Sequence, residues 1–167
     1  MHPLAQAVQE ACPDAVLAVS EALGELTLSI AREAVRPVCQ ALYARFDFDH
    51  ITDVTAVDLT HEVPRFEVVY HFYSISKNQR IRIKTRVPED DASIDSICDL
   101  WKGANFLERE TYDMMGIQFN GHPDLRRILM TEDYDEGFPL RKDFPVEGRG
   151  WRDRFDFPIS PAQEGGS

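Results

Sequence analysis

The sequence predicts an α+β fold, a mixed or antiparallel sheet with helices on one side. Strand-like segments occur in consecutive runs and do not alternate strictly with helices, which is not the pattern of a parallel nucleotide-binding sheet. With 167 residues and 43% hydrophobic content, the chain suits one globular domain plus an extension. We expect the element order α-β-β-α-β-β-β-α-α, followed by a long extended C-terminal arm.

The N-terminal third begins with a helix and a strand pair. Apolar residues recur at helical spacing over residues 4–11. Short apolar runs at 15–20 and 26–30 predict two paired strands. A second amphipathic helix follows, with Pro37 in its first turns, where the missing N–H is harmless. Its apolar stripe consists of Val35, Val38, Leu42 and Phe46.

Three further strands are predicted at residues 50–60, 65–75 and 80–87. The second of them has apolar residues on both faces, so we expect a central strand that is covered on both sides. The third alternates apolar with basic side chains, the basic ones being Arg80, Arg82, Lys84 and Arg86. This basic stripe could dock an acidic partner or pair with acids on a neighbouring strand, and along a sheet edge it would discourage aggregation.

Two helices are predicted after the sheet. Ser93 would cap the first, whose apolar stripe consists of Ile94, Ile97, Cys98 and Trp101. Asn105 would cap the second, and Glu108 three residues later completes a capping box. This helix runs to Met115, and Gly116 supplies the left-handed residue that ends it.

The pattern divides the chain into a globular α+β domain over residues 1–116 and an extended arm over residues 117–167 that docks on a partner. Within the arm only residues 128–130 form an apolar, strand-like run, and repeated prolines keep the remainder extended. The arm carries the aromatic residues Phe138, Phe144, Trp151, Phe155 and Phe157. Large aromatic residues on such a segment are expected to anchor in a pocket of another protein.

Composition excludes several classes of function. The net charge of −11 disfavours nucleic acid as a partner, because phosphate binding needs a basic face. The three cysteines form no C-x-x-C motif, so no iron–sulfur or zinc site has its ligands close together in sequence. There is no glycine-rich phosphate loop, no secretory signal and no membrane-length apolar run. A cytosolic protein, or one held at a membrane only by partners, is expected.

Charged residues are densest in the last predicted helix, the one that begins near Asn105. Glu108, Arg109, Glu110 and Asp113 lie within two turns of one another. Two neighbouring carboxylates could serve acid–base catalysis if one raised the pKa of the other. Arg109 and Asp113 are four residues apart and can pair on one helix face. We therefore favour a structural ion network in which Glu108 is used by the helix cap.

His122 and Pro123 form a turn after this helix. The histidine could be a metal ligand or a general base, but no histidine or cysteine lies at ligand spacing. A bond from its ring to its own backbone or to Asp124 is the preferred interpretation. The rival hypothesis is a stand-alone, metal-assisted hydrolase that uses His122, Asp124, Glu108 and Glu110.

For the charged residues that follow in the sequence, docking on a partner is better supported than catalysis. Arg126, Arg127, Arg141 and Lys142 carry donors suited to carboxylates on a partner, and Asp143 follows directly. Since they lie on the predicted arm, we expect these residues to contact another subunit or to hold the arm in place.

Residues 108–129 resemble the characteristic motif of the 30 kDa subunit family of NADH-quinone oxidoreductase, which is respiratory complex I. The motif residues here are Glu108-Arg109-Glu110, Asp113, Met114-Met115, His122, Arg126 and Ile128-Leu129. Segments 48–58 and 136–148 also look like this family, and the resemblance covers about residues 26 to 148. Many members carry histidine where this chain has Phe138, so a protonatable group is not required there.

The resemblance implies a cofactor-free component of the peripheral arm, at the cytoplasmic face of the cell membrane. The implied partners are the quinone-site subunit and the subunit that carries the terminal iron–sulfur cluster. NADH, FMN, iron–sulfur clusters and quinone would bind elsewhere in the complex, which couples electron transfer to proton translocation. The same domain occurs in related ferredoxin-dependent and hydrogenase-type membrane complexes, which remain the alternative.

Overall fold

A computed structural model describes residues 2–147, and in it a five-stranded mixed sheet carries helices on one face. The helices are α1 (Pro3–Ala11), α2 (Val35–Phe46) and α3 (Ala104–Met115). The sheet strands are β1 (Val16–Ala22), β2 (Glu25–Ile30), β3 (His50–Asp58), β4 (Phe66–Ser74) and β5 (Gln79–Val87). Two short strands, β6 (Ser93–Asp95) and β7 (Gln118–Asn120), form a second sheet. The predicted α+β class is confirmed.

The strand order of the main sheet is β1-β2-β5-β4-β3. Neighbouring strands are antiparallel except β2 and β5, which run parallel. The connection from β2 to its parallel neighbour contains α2, which packs on the sheet and buries Val38 and Leu42 against it. Since Pro37 lies in the first turn of α2, its missing N–H costs no helical hydrogen bond, as predicted.

The two faces of the main sheet differ in polarity. On β4 the predicted inward set, Phe66, Val68, Tyr70 and Phe72, is buried. The opposite face buries Val69 and leaves Tyr73 half-buried, so the predicted cover on this side is only partial. As predicted, β4 is an interior strand, between β5 and β3. The outer face of β4 carries the half-buried residues Glu67, His71 and Tyr73.

The basic stripe lies on β5, which is the middle strand, so the idea that it protects a sheet edge is wrong. Arg82 pairs with Glu25 of β2 at 2.6 Å, and Lys84 pairs with Glu67 of β4 at 2.8 Å. Arg86 pairs with Glu62 in the loop before β4. The stripe is therefore largely neutralised by acids on neighbouring segments, the second of the two alternatives above.

The helix predicted to begin at Ser93 does not form. Residues 93–95 are strand β6, which pairs in parallel with β7, and the Ser93 hydroxyl binds Asp91. Ile94, Ile97 and Trp101 are nevertheless buried, as their spacing suggested. The error arises because a short strand followed by turns can bury the same apolar positions, and the partner strand lies far along the chain.

Helix α3 begins before the predicted cap, Asn105, and ends as predicted. Its N-cap is Gly103, without a side-chain hydrogen bond, so neither Asn105 nor Glu108 caps the helix. Gly116 has a φ of 76° and ends the helix in the left-handed conformation.

Residues 121–147, the C-terminal segment, contain no regular helix or strand and pack back against α3 and the sheet. The strand-like run at 128–130 is not a strand, because its N–H groups bind a carboxylate of α3. Residues 148–167, including Trp151, Phe155 and Phe157, lie outside the described residues. The division into two parts at residue 116 stays a prediction.

Candidate functional site

The α3 corner, where α3 meets the C-terminal segment, collects most of the candidate residues. The first is Glu108, which is fully buried. Its carboxylate accepts hydrogen bonds from the Ser96 hydroxyl at 2.6 Å and the Ile97 N–H at 2.8 Å. Burial raises the pKa of Glu108 to about 7, although these hydrogen bonds act to lower it. The predicted capping role is therefore replaced by a buried bond to the segment after β6.

His122 lies against the same carboxylate, in the turn after β7. Its Nδ1 accepts from the Asp124 N–H at 3.0 Å, the predicted backbone bond. Its Nε2 lies 3.1 Å from the Asn105 carbonyl oxygen, which makes Nε2 the protonated nitrogen. Ligand atoms of His122, Glu108 and Cys98 all lie within 4.8 Å of one another. Sequence spacing could not indicate this cluster, because its members lie in three separate parts of the chain: after β6, in α3 and after β7.

The hypothetical hydrolase set is not assembled. Glu110 is exposed on α3, whereas Glu108 of the same helix is buried. The Asp124 side chain pairs with Arg126 at 3.0 Å on the surface, and that arginine also reaches Glu132. Of the four suggested residues, only Glu108 and His122 come together.

Asp113 is the second buried carboxylate of the α3 corner, and its partner is not Arg109. Its Oδ1 accepts from Arg127 at 2.7 Å, and its Oδ2 accepts from three successive backbone N–H groups at 2.7–3.0 Å, those of Ile128, Leu129 and Met130. Burial acts to raise the pKa of Asp113, but these bonds outweigh it and hold the pKa below its usual value. The carboxylate thus ties the C-terminal segment to α3.

Arg109 also binds the C-terminal segment. Its guanidinium donates to the backbone carbonyls of Arg126 and Arg127 at 3.2 and 3.0 Å. The i,i+4 pair with Asp113 fails to form because each side chain finds a partner outside the helix. Helix periodicity alone could not indicate such partners.

Arg141 contacts the C-terminal end of α3. Its Nε donates to the Met115 carbonyl at 2.7 Å, and its guanidinium lies over the rings of Phe138 and Phe66 at 4.6 and 4.9 Å. A Cβ on Gly116 would lie 2.5 Å from Phe138, so this glycine is needed for close approach as well as for its φ. Sequence reasoning explained Gly116 only as a helix end.

A third buried carboxylate, Asp58 at the end of β3, was missed in the sequence. It forms two hydrogen bonds with Arg65, at 2.7 and 2.9 Å, and accepts from the Lys142 N–H at 2.8 Å. The bonds from Arg65 lower the pKa of Asp58 to about 2. Arg65 also pairs with Asp143 at 3.1 Å and with Glu89. No local signal distinguishes these residues from ordinary loop charges.

The fold and this corner define a class of protein: an α+β domain whose C-terminal segment is tied onto its last helix by a buried carboxylate, that of Asp113. Within residues 2–147, none of the helices combines the length and the hydrophobicity that a membrane-spanning helix needs. Comparison with known sequences then gives the family. The chain belongs to the family of the respiratory-chain NADH dehydrogenase 30 Kd subunit, whose sequence model matches residues 28–150.

Individual relatives agree. The chain is 53% identical over 134 residues to the NADH-quinone oxidoreductase C subunit of Geobacter sulfurreducens, covering 80% of this chain and 82% of the relative. It resembles the solved trypsin-resistant fragment of Nqo5 with a TM-score of 0.65 at 33% identity, over 73% of this chain and 98% of that chain. A chain of the archaeal membrane-bound sulfane sulfur reductase shares the fold, with a TM-score of 0.76 at 24% identity, over 92% of this chain and 93% of that one. The chain is accordingly one subunit of an NADH-quinone oxidoreductase.

Proposed function

We propose that this chain is a cofactor-free scaffold that holds the quinone-site subunit in the peripheral arm of the complex. Family membership carries the proposal. NADH, FMN, the iron–sulfur clusters and quinone belong to other subunits, where electron transfer is coupled to proton translocation. The chain has no catalytic residues of its own and lies at the cytoplasmic face of the membrane through its partners.

The contact with the quinone-site subunit is assigned to the C-terminal segment. A groove of about 570 Å³ on this segment is lined by Met130, Tyr134, Leu140, Phe144 and Val146, among others. Leu140 is 58% exposed and Val146 is fully exposed. Apolar side chains presented together on a segment without regular structure are typical of a surface that a partner covers. The subunit with the terminal iron–sulfur cluster is the second proposed neighbour.

The charged residues of the segment divide into two roles. Arg127, Arg141 and Asp143 make intrachain contacts, so they shape the surface that the partner meets. The Lys142 backbone is bound by Asp58 while the residue itself is exposed. We assign its ammonium group to a carboxylate of the quinone-site subunit.

Co-purification from solubilised membranes tests this assignment. A tagged chain with Leu140→Asp and Val146→Asp should lose the quinone-site subunit, because charges would enter an apolar contact. Lys142→Ala should weaken the association by about 1–3 kcal/mol if the ammonium group is buried in the contact. Leu23→Asp is the matched control, since Leu23 is as exposed as Val146 but lies in the turn between β1 and β2.

The control chain should retain the quinone-site subunit and membrane NADH:quinone activity. Retention of that partner by the double variant, with its circular dichroism unchanged, would contradict the assigned contact. Full membrane activity after deletion of the chain would contradict the scaffold role itself.

A further inference from the structure

We propose that Cys98, Glu108 and His122 form a structural site for one transition-metal ion, which takes no part in electron transfer, and that Zn²⁺ is the ion that fits it. Each residue offers one ligand atom, and these atoms all lie within 4.8 Å of one another. A thiolate, a carboxylate and an imidazole together are a ligand set that Zn²⁺ takes. Mg²⁺ and Ca²⁺ prefer oxygen ligands throughout and fit the cluster poorly.

The surroundings of the buried Glu108 carboxylate supply a second reason to expect a metal ion. Three carboxylate side chains in the described part of the chain are almost fully buried: Asp58, Asp113 and Glu108. Arg65 pairs with the first and Arg127 with the second. Among residues 2–147, Glu108 has no ion-pair partner and accepts only from an uncharged hydroxyl and a backbone N–H. Since a buried carboxylate without an ion-pair partner is either protonated or bound to a cation, a metal ion bound here would hold Glu108 in its charged form.

The geometry permits closure around an ion. In a tetrahedral site with ordinary zinc bond lengths, ligand atoms lie roughly 3.5 Å apart. Each pair of ligand atoms therefore has to approach by at most about 1.3 Å. Cys98 and His122 are half-buried, so an ion can enter from solvent and retain a water as its fourth ligand. The Ser96 hydroxyl contacts both Glu108 and Cys98 and would orient these ligands from outside.

Binding of the ion requires a change of protonation at its ligands. The Cys98 thiol loses its proton to solvent, as does Glu108 wherever it is protonated. The proton on Nε2 of His122 moves to Nδ1, so that Nε2 can bind the ion. This change breaks both hydrogen bonds of the ring, the one from Nε2–H to the Asn105 carbonyl oxygen and the one from the Asp124 N–H to Nδ1. The binding free energy of structural zinc is far larger than the loss of two such bonds.

The test uses the untagged full chain, freed of metal with a chelator and titrated with Zn²⁺ and with Co²⁺ as a spectroscopic probe. We expect one ion per chain, and a thiolate-to-Co²⁺ charge-transfer absorption that disappears in Cys98→Ser. Zinc affinity should fall at least about tenfold in Cys98→Ser and in His122→Asn, since even outer-shell replacements have effects of that size. Zn²⁺ should also raise the unfolding temperature of the wild-type chain and not that of these two variants.

Matched controls are Cys12→Ser, another half-buried free cysteine, and His61→Asn, an exposed histidine, both outside the cluster. Both should bind Zn²⁺ as the wild-type chain does. Circular dichroism checks each fold, and Glu108→Gln provides a third, independent ligand replacement. Absence of stoichiometric binding, or equal binding by the Cys98 and Cys12 variants, would overturn the proposal and leave an adventitious ion only.

Discussion

Asp113→Asn tests whether a buried carboxylate ties the C-terminal segment to α3. The side chain of Asp113 is fully buried, and its two oxygens accept four hydrogen bonds, one from Arg127 and three from the backbone N–H groups of residues 128–130. Asparagine has nearly the same shape but only one acceptor oxygen. Its NH₂ group would face either the Arg127 guanidinium or the three N–H groups, and both arrangements set donors against donors.

The expected loss of unfolding free energy follows from breaking the Asp113–Arg127 ion pair. Removing one partner of a buried ion pair costs about 3–5 kcal/mol, because the remaining charge stays buried without compensation. Arg127 is partly exposed, with 15% of its side chain accessible, so water can relieve some of that cost. We therefore expect the free energy of unfolding to fall by about 3 kcal/mol, the lower end of that range.

Urea unfolding at neutral pH, followed by circular dichroism, measures this change. Glu110→Gln is the matched control, because Glu110 is exposed on the same helix and loses the same charge. The control should stay within about 0.5 kcal/mol of the wild-type chain. Limited trypsin digestion adds a local measurement, since cleavage after Arg126 and Arg127 should accelerate in Asp113→Asn and not in the control.

A loss below about 1 kcal/mol, or one equal to that of the control, would refute the reasoning. Unchanged digestion at Arg126 and Arg127 would show that the segment is held by other contacts. Those of Arg141 with Met115 and of Lys142 with Asp58 would then be the first to examine.

Three further outcomes are expected in urea unfolding. Gly116→Ala should destabilise the chain by at least about 1 kcal/mol, because φ is positive and the new Cβ meets Phe138; an unchanged midpoint would contradict this. Tyr70→Phe should be neutral or stabilising by up to about 1 kcal/mol, because the buried hydroxyl has no hydrogen-bond partner among residues 2–147; a clear loss would reveal a partner. The pKa of Asp58 is lowered to about 2 from 3.8, so its contribution of about 2 kcal/mol is complete above pH 4 and is lost as pH falls toward 2. Asp58→Asn should flatten the pH dependence over that range, and a profile parallel to that of the wild-type chain would contradict the assignment.

The sequence by itself determined the fold class and, among residues 2–147, the five strands of the main sheet and all three α-helices. These features have local causes. Alternation of apolar residues marks β4 and β5, a stripe at helical spacing marks α2, and Gly116 marks the end of α3. The dense charge of the α3 corner was likewise visible, and the motif at residues 108–129 led to the family that the comparisons show.

Only the tertiary structure decided which charges meet. Glu108 was expected at a helix cap and Asp113 beside Arg109, but they bind Ser96 and Arg127, 12 and 14 residues away. Strands β6 and β7, and the bond between Asp58 and the Lys142 backbone, depend equally on distant partners. The physical reason is that periodicity reports which side of an element is buried. A buried carboxylate, by contrast, is satisfied by whatever donor the folded chain brings to it, and sequence spacing does not record that donor.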